Sequence, residues 1–178
     1  MNQKKKKIAM IIASQEFRDE ECFETKAILE NQDFEITLFS DKKGIAIGRF
    51  GGEIEVKKTL EEINVDNFNC LLFVGGGGAL KYFDNDLSYK IINEANSKSK
   101  VLAAICIAPV ILAKAGVLKK RKATVWSSNL DKSAIKILKD NGATYIDEDA
   151  VIDKNIITAN GPLAIQEFCK KIIEAYEK

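Results

Sequence analysis

The chain has 178 residues, 46% of them hydrophobic and 30% charged, with a formal net charge of +1 and no histidine. That length and mixture suit a single domain over residues 1–178 with a full core, and the near-neutral balance gives no bulk field to recruit nucleic acid or an anionic membrane. The missing histidine excludes a Cys–His or Ser–His dyad, and a histidine-based metal site, within one protomer.

In chain order, Lys4, Lys5, Lys6 and Lys7 read as a solvated lead-in to the first strand rather than a binding patch. There is no signal-peptide pattern and no apolar run of bilayer-spanning length, so the expectation is a cytoplasmic protein. Residues 8–13 (IAMIIA) form a continuous apolar run, as in a strand covered on both faces. Residues 14–21 read as a polar, acidic turn. Cys22, Phe23, Ala27, Ile28 and Leu29 then follow with helical spacing. Residues 34–39 (FEITLF) alternate and predict the second strand. The glycine-rich stretch 42–56 predicts a small hairpin or irregular excursion outside the core βα pattern.

Residues 69–74 (NCLLFV) predict another buried strand, ending in Gly75, Gly76, Gly77 and Gly78. Helices are expected around Leu80, Tyr82 and Phe83 and over residues 86–97. Residues 101–105 (VLAAI) then form a buried strand that delivers Cys106. Pro109 is suited to a first helical turn, and Gly116 to closing that helix. Residues 123–126 predict a short strand and 131–141 an amphipathic helix. Residues 151–152 and 156–159 predict a hairpin, and Gly161-Pro162 opens the last helix. Strands alternating with helices predict an α/β domain around a mostly parallel sheet.

Ligands of such sheets bind outside the carboxyl ends of the strands. Three segments meet there: the acidic turn after Ala13, the glycines after Val74, and Cys106 after Ile105. A free cysteine is usually inert packing, and Cys22, Cys70 and Cys169 keep that reading. For Cys106 the strand–Cys–Pro–helix context favours a nucleophile elbow whose sulfur faces the positive end of a helix, which would promote the thiolate. A carboxyl from residues 16–21 in the same partly dry pocket would have a raised pKa and could shuttle a proton; for any one of them, a solvated surface position is the plainer reading. The glycines could form an anion nest or simply a tight loop. They match neither a Walker A loop nor a dinucleotide fingerprint.

The AAICIAP segment with its downstream AGVL, the strand ending in GGGG, and the last helix opened by Gly161-Pro162 resemble the PfpI superfamily, which also contains the Parkinsonism-associated DJ-one proteins. The resemblance covers nearly the whole chain and is most specific over residues 103–109. It implies a flavodoxin-like three-layer sandwich with Cys106 as a nucleophilic or redox-active residue at the strand-to-helix elbow. It also implies a glutamate bonded to that cysteine, which alignment puts at Glu21 with Glu20 as the fallback. Gly75 and Gly76 would be backbone donors, no cofactor or metal would be needed, and the partners would be a small carbonyl substrate and a second copy in a homodimer, with larger assemblies in PfpI-type members.

The family often carries a histidine directly after the cysteine or on a loop beyond the next strand. Ile107 holds the first place, and the second falls near Trp126, Ser127 and Ser128. Without them peptide hydrolysis lacks its base, and a protease is disfavoured. Ile107 and Trp126 become candidate substrate walls; Trp126 would equally fill the histidine's space in the core or at a dimer contact. Three functions stay open: a glyoxalase III or deglycase-like enzyme, a redox sensor or stress chaperone acting through Cys106, and a scaffold that has lost catalysis.

Overall fold

The computed structural model describes residues 6–176. In chain order its elements are β1 (Lys6–Ile11), β2 (Gln15–Phe17), α1 (Asp19–Glu30), β3 (Phe34–Ser40), β4 (Gly44–Gly48), β5 (Glu53–Val56), β6 (Lys58–Thr59), β7 (Cys70–Phe73), α2 (Gly77–Phe83), α3 (Asp86–Ser97), β8 (Val101–Ile105), α4 (Pro109–Lys114), β9 (Lys122–Ala123), α5 (Ser133–Asp140), β10 (Thr144–Tyr145), β11 (Ala150–Asp153), β12 (Ile156–Ala159) and α6 (Ile165–Glu174).

The main sheet has seven strands in the order β11-β12-β8-β7-β1-β3-β6. Every pairing in it is parallel except that of β11 with β12. The central strands β7 and β8 are buried along their whole length, as is β1 from Ile8 onward. Their unbroken apolar sequences follow from that two-sided burial. From β1 the chain crosses to β3 in one direction, whereas β7 crosses to β8 in the other. Right-handed crossovers running in opposite directions put their helices on opposite faces. Accordingly α1 packs with α6, while α3 packs with α4 and α4 with α5. The result is a three-layer α/β sandwich around a mainly parallel sheet, the flavodoxin-like arrangement that the family resemblance implies. The strand order reverses between β1 and β7, which opens a crevice at their carboxyl ends.

Four local details depart from expectation. The acidic turn over 14–21 contains β2, which pairs in parallel with β4, and α1 already begins at Asp19. The strand expected over 123–126 stops at Ala123. Beyond it the Thr124 N–H donates to Thr158 Oγ1 at 2.9 Å and the Trp126 N–H to the Cys106 carbonyl at 2.8 Å, so these backbone groups are satisfied outside any ladder. Gly161-Pro162 opens a 3-10 turn, Pro162–Ala164, before α6. Of the lysine run, Lys4 and Lys5 lie outside the described residues. Lys6 is no solvated lead-in: its Nζ donates to the Tyr176 carbonyl and lies over the Phe34 and Tyr176 rings.

The excursion over 42–56 is an antiparallel β4–β5 hairpin. The Asp19 carboxylate accepts the N–H groups of Phe50 at 2.9 Å and Gly52 at 2.7 Å, pinning the hairpin tip to the start of α1. This places Arg49 over the crevice. No helix among the described residues is long and apolar enough to cross a membrane.

Candidate active site

Cys106 follows β8 directly and adopts φ +62°, the left-handed region that non-glycine residues avoid. Its N–H donates to the Ala159 carbonyl at 2.9 Å and its carbonyl accepts from Trp126, so the elbow is held from both sides. Strain of this kind persists only where the surroundings over-determine the backbone. Cys22, Cys70 and Cys169 are buried, whereas Cys106 is partly exposed.

Glu21 lies in the first turn of α1 and is fully buried. Its Oε2 accepts the Gly75 N–H at 2.9 Å, while Oε1 has no partner of standard hydrogen-bond geometry. The carboxyl lies beside Cys106, across the space that a Cβ on Gly75 would fill, and each group shifts the other's ionisation. Glu20, the neighbouring alternative, is engaged elsewhere: both its oxygens take the Arg18 guanidinium, at 2.9 and 3.1 Å.

Gly75 is the spacer that allows this meeting. A Cβ there would stand 2.6 Å from both Cys106 Cβ and Glu21 Oε2, and 2.9 Å from the Ile105 carbonyl oxygen. Gly76 has φ +102°, and a Cβ on it would come within 2.4 Å of the Glu16 carbonyl oxygen. The expectation that Gly75 and Gly76 act as paired donors toward substrate needs correcting for Gly75, whose N–H is directed at Glu21. The amides of Gly76 and Ile107 are the backbone groups that favour the ionised sulfur.

The electrostatics of the buried pair oppose the expected thiolate. Helix α4 is only six residues long and starts at Pro109, beyond Ile107 and Ala108. Burial, then the Glu21 charge and the hydrogen bond to it, push the Cys106 thiol up to about 12, against the pull of the Gly76 and Ile107 amides. Burial likewise raises the Glu21 carboxyl to about 7, against hydrogen bonds from Cys106 and Gly75 and the nearby Arg18 charge. Two acids that share one dry space resist ionising together. When Glu21 is protonated its repulsion disappears and its O–H can donate to sulfur.

The sulfur opens onto a cleft of about 460 Å³ lined by Arg18, Arg49, Gly76, Gly77, Leu80, Cys106, Ile107 and Trp126. The sequence reading of Ile107 and Trp126 as cleft walls describes where they stand. It included Gly77 only within the glycine run and missed Arg18, Arg49 and Leu80. Arg18 adjoins the acidic turn and was legible in principle; Arg49 arrives from the hairpin that the sequence reading set outside the core.

A parallel α/β sandwich with a left-handed elbow cysteine after a central strand, faced by a buried glutamate, defines a class of flavodoxin-like cysteine proteins. Within it, the DJ-1/PfpI family model matches residues 6–175, and the chain belongs to that family. A protein of Methanocaldococcus jannaschii named only as uncharacterised is 39% identical over 99% of this chain and 85% of its own. Deglycase PfpI of Pyrococcus furiosus is 27% identical over 93% of this chain and 96% of its own. Among solved structures, a ThiJ/PfpI domain protein from Brachyspira murdochii superposes with a TM-score of 0.91 at 26% identity, covering 98% of both chains. Drosophila melanogaster DJ-1beta does so at 0.84 and 26% identity, covering 96% of this chain and 90% of its own.

Proposed function

We propose that the protein is a cofactor-free enzyme acting on small reactive dicarbonyls, of the glyoxalase III or deglycase type. The observation that carries this reading is the buried Glu21 carboxyl, held near a pKa of about 7 beside the partly exposed Cys106. A carboxyl poised there can give or take a proton at neutral pH. Relatives named as deglycases support the reading.

The steps follow from the positions. The Cys106 thiol passes its proton to the Glu21 carboxylate and the sulfur adds to the aldehyde carbon. The carbonyl π pair becomes an alkoxide beside the Gly76 and Ile107 amides, then takes up the proton that Glu21 supplies to give a hemithioacetal. Glu21 removes the proton from that carbon as the adjacent ketone oxygen gains one, giving an enediol; it then returns the proton to the adjacent carbon while the hemithioacetal hydroxyl loses its own, leaving a 2-hydroxy thioester. Water cleaves the thioester, releasing a 2-hydroxy acid and the thiol. The residues Leu80, Ile107 and Trp126 give the cleft its apolar walls.

Purified protein incubated with methylglyoxal is expected to form lactate, with loss of formation in both Cys106→Ala and Glu21→Gln. Lactate that does not depend on Cys106, or none at all, would sink the proposal.

A second reading has its own observation: Cys106 is the one cysteine not buried among the four. Oxidation to sulfenic or sulfinic acid, held by the Gly76 amide and protonated Glu21, would make the protein a redox sensor. Dimer formation is carried forward as a proposal on the family resemblance, tested by sedimentation at working concentration.

A further inference from the structure

We infer that the cleft selects carbonyl compounds bearing a carboxylate, and that Arg49 is the residue that senses this charge. The carbonyl chemistry rests on the function proposed above; the charge preference does not.

The charged side chains that line the cleft are Arg18 and Arg49, with the Glu21 carboxyl buried behind Cys106. The chain has three arginines. Arg121 pairs with Asp153, and Arg18 with Glu20 through a two-bond fork. Arg49 forms no ion pair among the described residues, although it lines the cleft onto which the sulfur opens and is exposed there.

Its placement is built rather than incidental. The Arg49 N–H donates to the Phe17 carbonyl at 2.9 Å. The next residue, Phe50, is fixed through its N–H to Asp19 and lies under the Arg18 guanidinium, 4.8 Å from ring centroid to Cζ. The Arg18 N–H in turn donates to the Gly75 carbonyl at 3.0 Å. One chain of contacts therefore runs from the glutamate–cysteine pair to the hairpin tip. A guanidinium presents a planar fork that matches a carboxylate in two hydrogen bonds.

Other charges set the valence. Glu20 already neutralises Arg18, and Glu16 Oε2 stands close to Gly77 without lining the cleft. Arg49 is the lining cation left without an ion pair, and with the titrating Glu21 carboxyl beneath the cleft at Cys106 the balance suits a singly charged carboxylate better than a phosphate dianion.

Alkylation of Cys106 tests this without turnover. The sulfur displaces iodide from either iodoacetate or iodoacetamide, forming one S–C bond, and the two reagents differ chiefly in charge. Labelling at Cys106 is read by mass spectrometry, since the other three cysteines are buried. The ratio of iodoacetate to iodoacetamide rates in the full-length protein at low salt is expected to fall about threefold in Arg49→Ala, to recover in Arg49→Lys, and to shrink in wild type at high salt. The iodoacetamide rate itself should hold in both variants, which also reports an intact fold. A ratio unchanged by Arg49→Ala at low salt overturns the inference. The outcomes separate from those of the enzyme proposal: an Arg49-dependent ratio in a protein that makes no lactate leaves charge selection standing and removes the dicarbonyl chemistry.

Discussion

The Gly75 N–H donates to Glu21 Oε2 at 2.9 Å across 54 residues of chain. It ties the first turn of α1 to the end of β7, and the glycine's missing Cβ leaves the gap in which Glu21 meets Cys106. Carboxyl, amide and thiol form one unit, and perturbing any member is felt by the other two.

Replacing Glu21 by Gln removes the charge that opposes the thiolate. Ionised Glu21 raises the Cys106 pKa, so its loss lowers it. At pH 8 Glu21→Gln is expected to contain more thiolate than wild type by ultraviolet absorbance, with Cys22, Cys70 and Cys169 replaced in both. It is expected to form less lactate from methylglyoxal, because the proton shuttle is gone. More thiolate together with less turnover distinguishes a proton-transfer role from simple activation of sulfur.

The same carboxyl makes stability depend on pH. Glu21 is raised from 4.5 to about 7, so between those values the folded state binds more protons than the unfolded one. Stability therefore falls as pH rises through that window, by up to about 3 kcal/mol from this group. Denaturant titrations at pH 5 and pH 7.5 should show a decline in wild type that is smaller in Glu21→Gln. Equal slopes would mean that Glu21 ionises in the fold as it does in the unfolded chain.

Gly75→Ala is predicted to lose about 2 kcal/mol or more, because the new methyl meets backbone and two packed side chains with no room to retreat. Denaturation measures the loss. Cys106 alkylation kinetics should change in the same variant, since the methyl displaces the sulfur or the carboxyl.

The elbow predicts an inversion of the usual ranking of small residues. At φ +62°, alanine suffers the left-handed penalty and glycine does not. Cys106→Gly should exceed Cys106→Ala in stability by about 1 kcal/mol, or about 3 °C in melting temperature. The reverse order would show that the elbow relaxes once the sulfur is gone.

Mild peroxide should oxidise Cys106 well before the three buried cysteines. Peptide mapping by mass spectrometry checks this, and uniform oxidation would argue against the sensor reading.

The sheet was readable in the sequence because its central strands are covered on both sides and therefore written as continuous apolar runs. The turn over 42–56 was readable as a hairpin from its glycines, but not as a cleft wall. Arg49 reaches the site through Asp19 accepting two backbone N–H groups more than thirty residues away, a contact that leaves no periodic trace. Residues 123–126 carried a strand-like composition, yet their N–H groups found a threonine hydroxyl and the elbow carbonyl instead. The environment of the Cys106 thiol was hidden for a related reason. Pro109 correctly marked a helix start, but burial depth and the facing carboxyl, which dominate the sulfur's energetics, belong to the tertiary fold.

Trp126 is the chain's sole tryptophan, and its backbone N–H donates to the carbonyl of Cys106. The protein thus carries a native optical probe one hydrogen bond from its chemistry. Indole emission should register alkylation, oxidation or substrate capture at the sulfur in real time, in unlabelled protein, with no second tryptophan to dilute the signal.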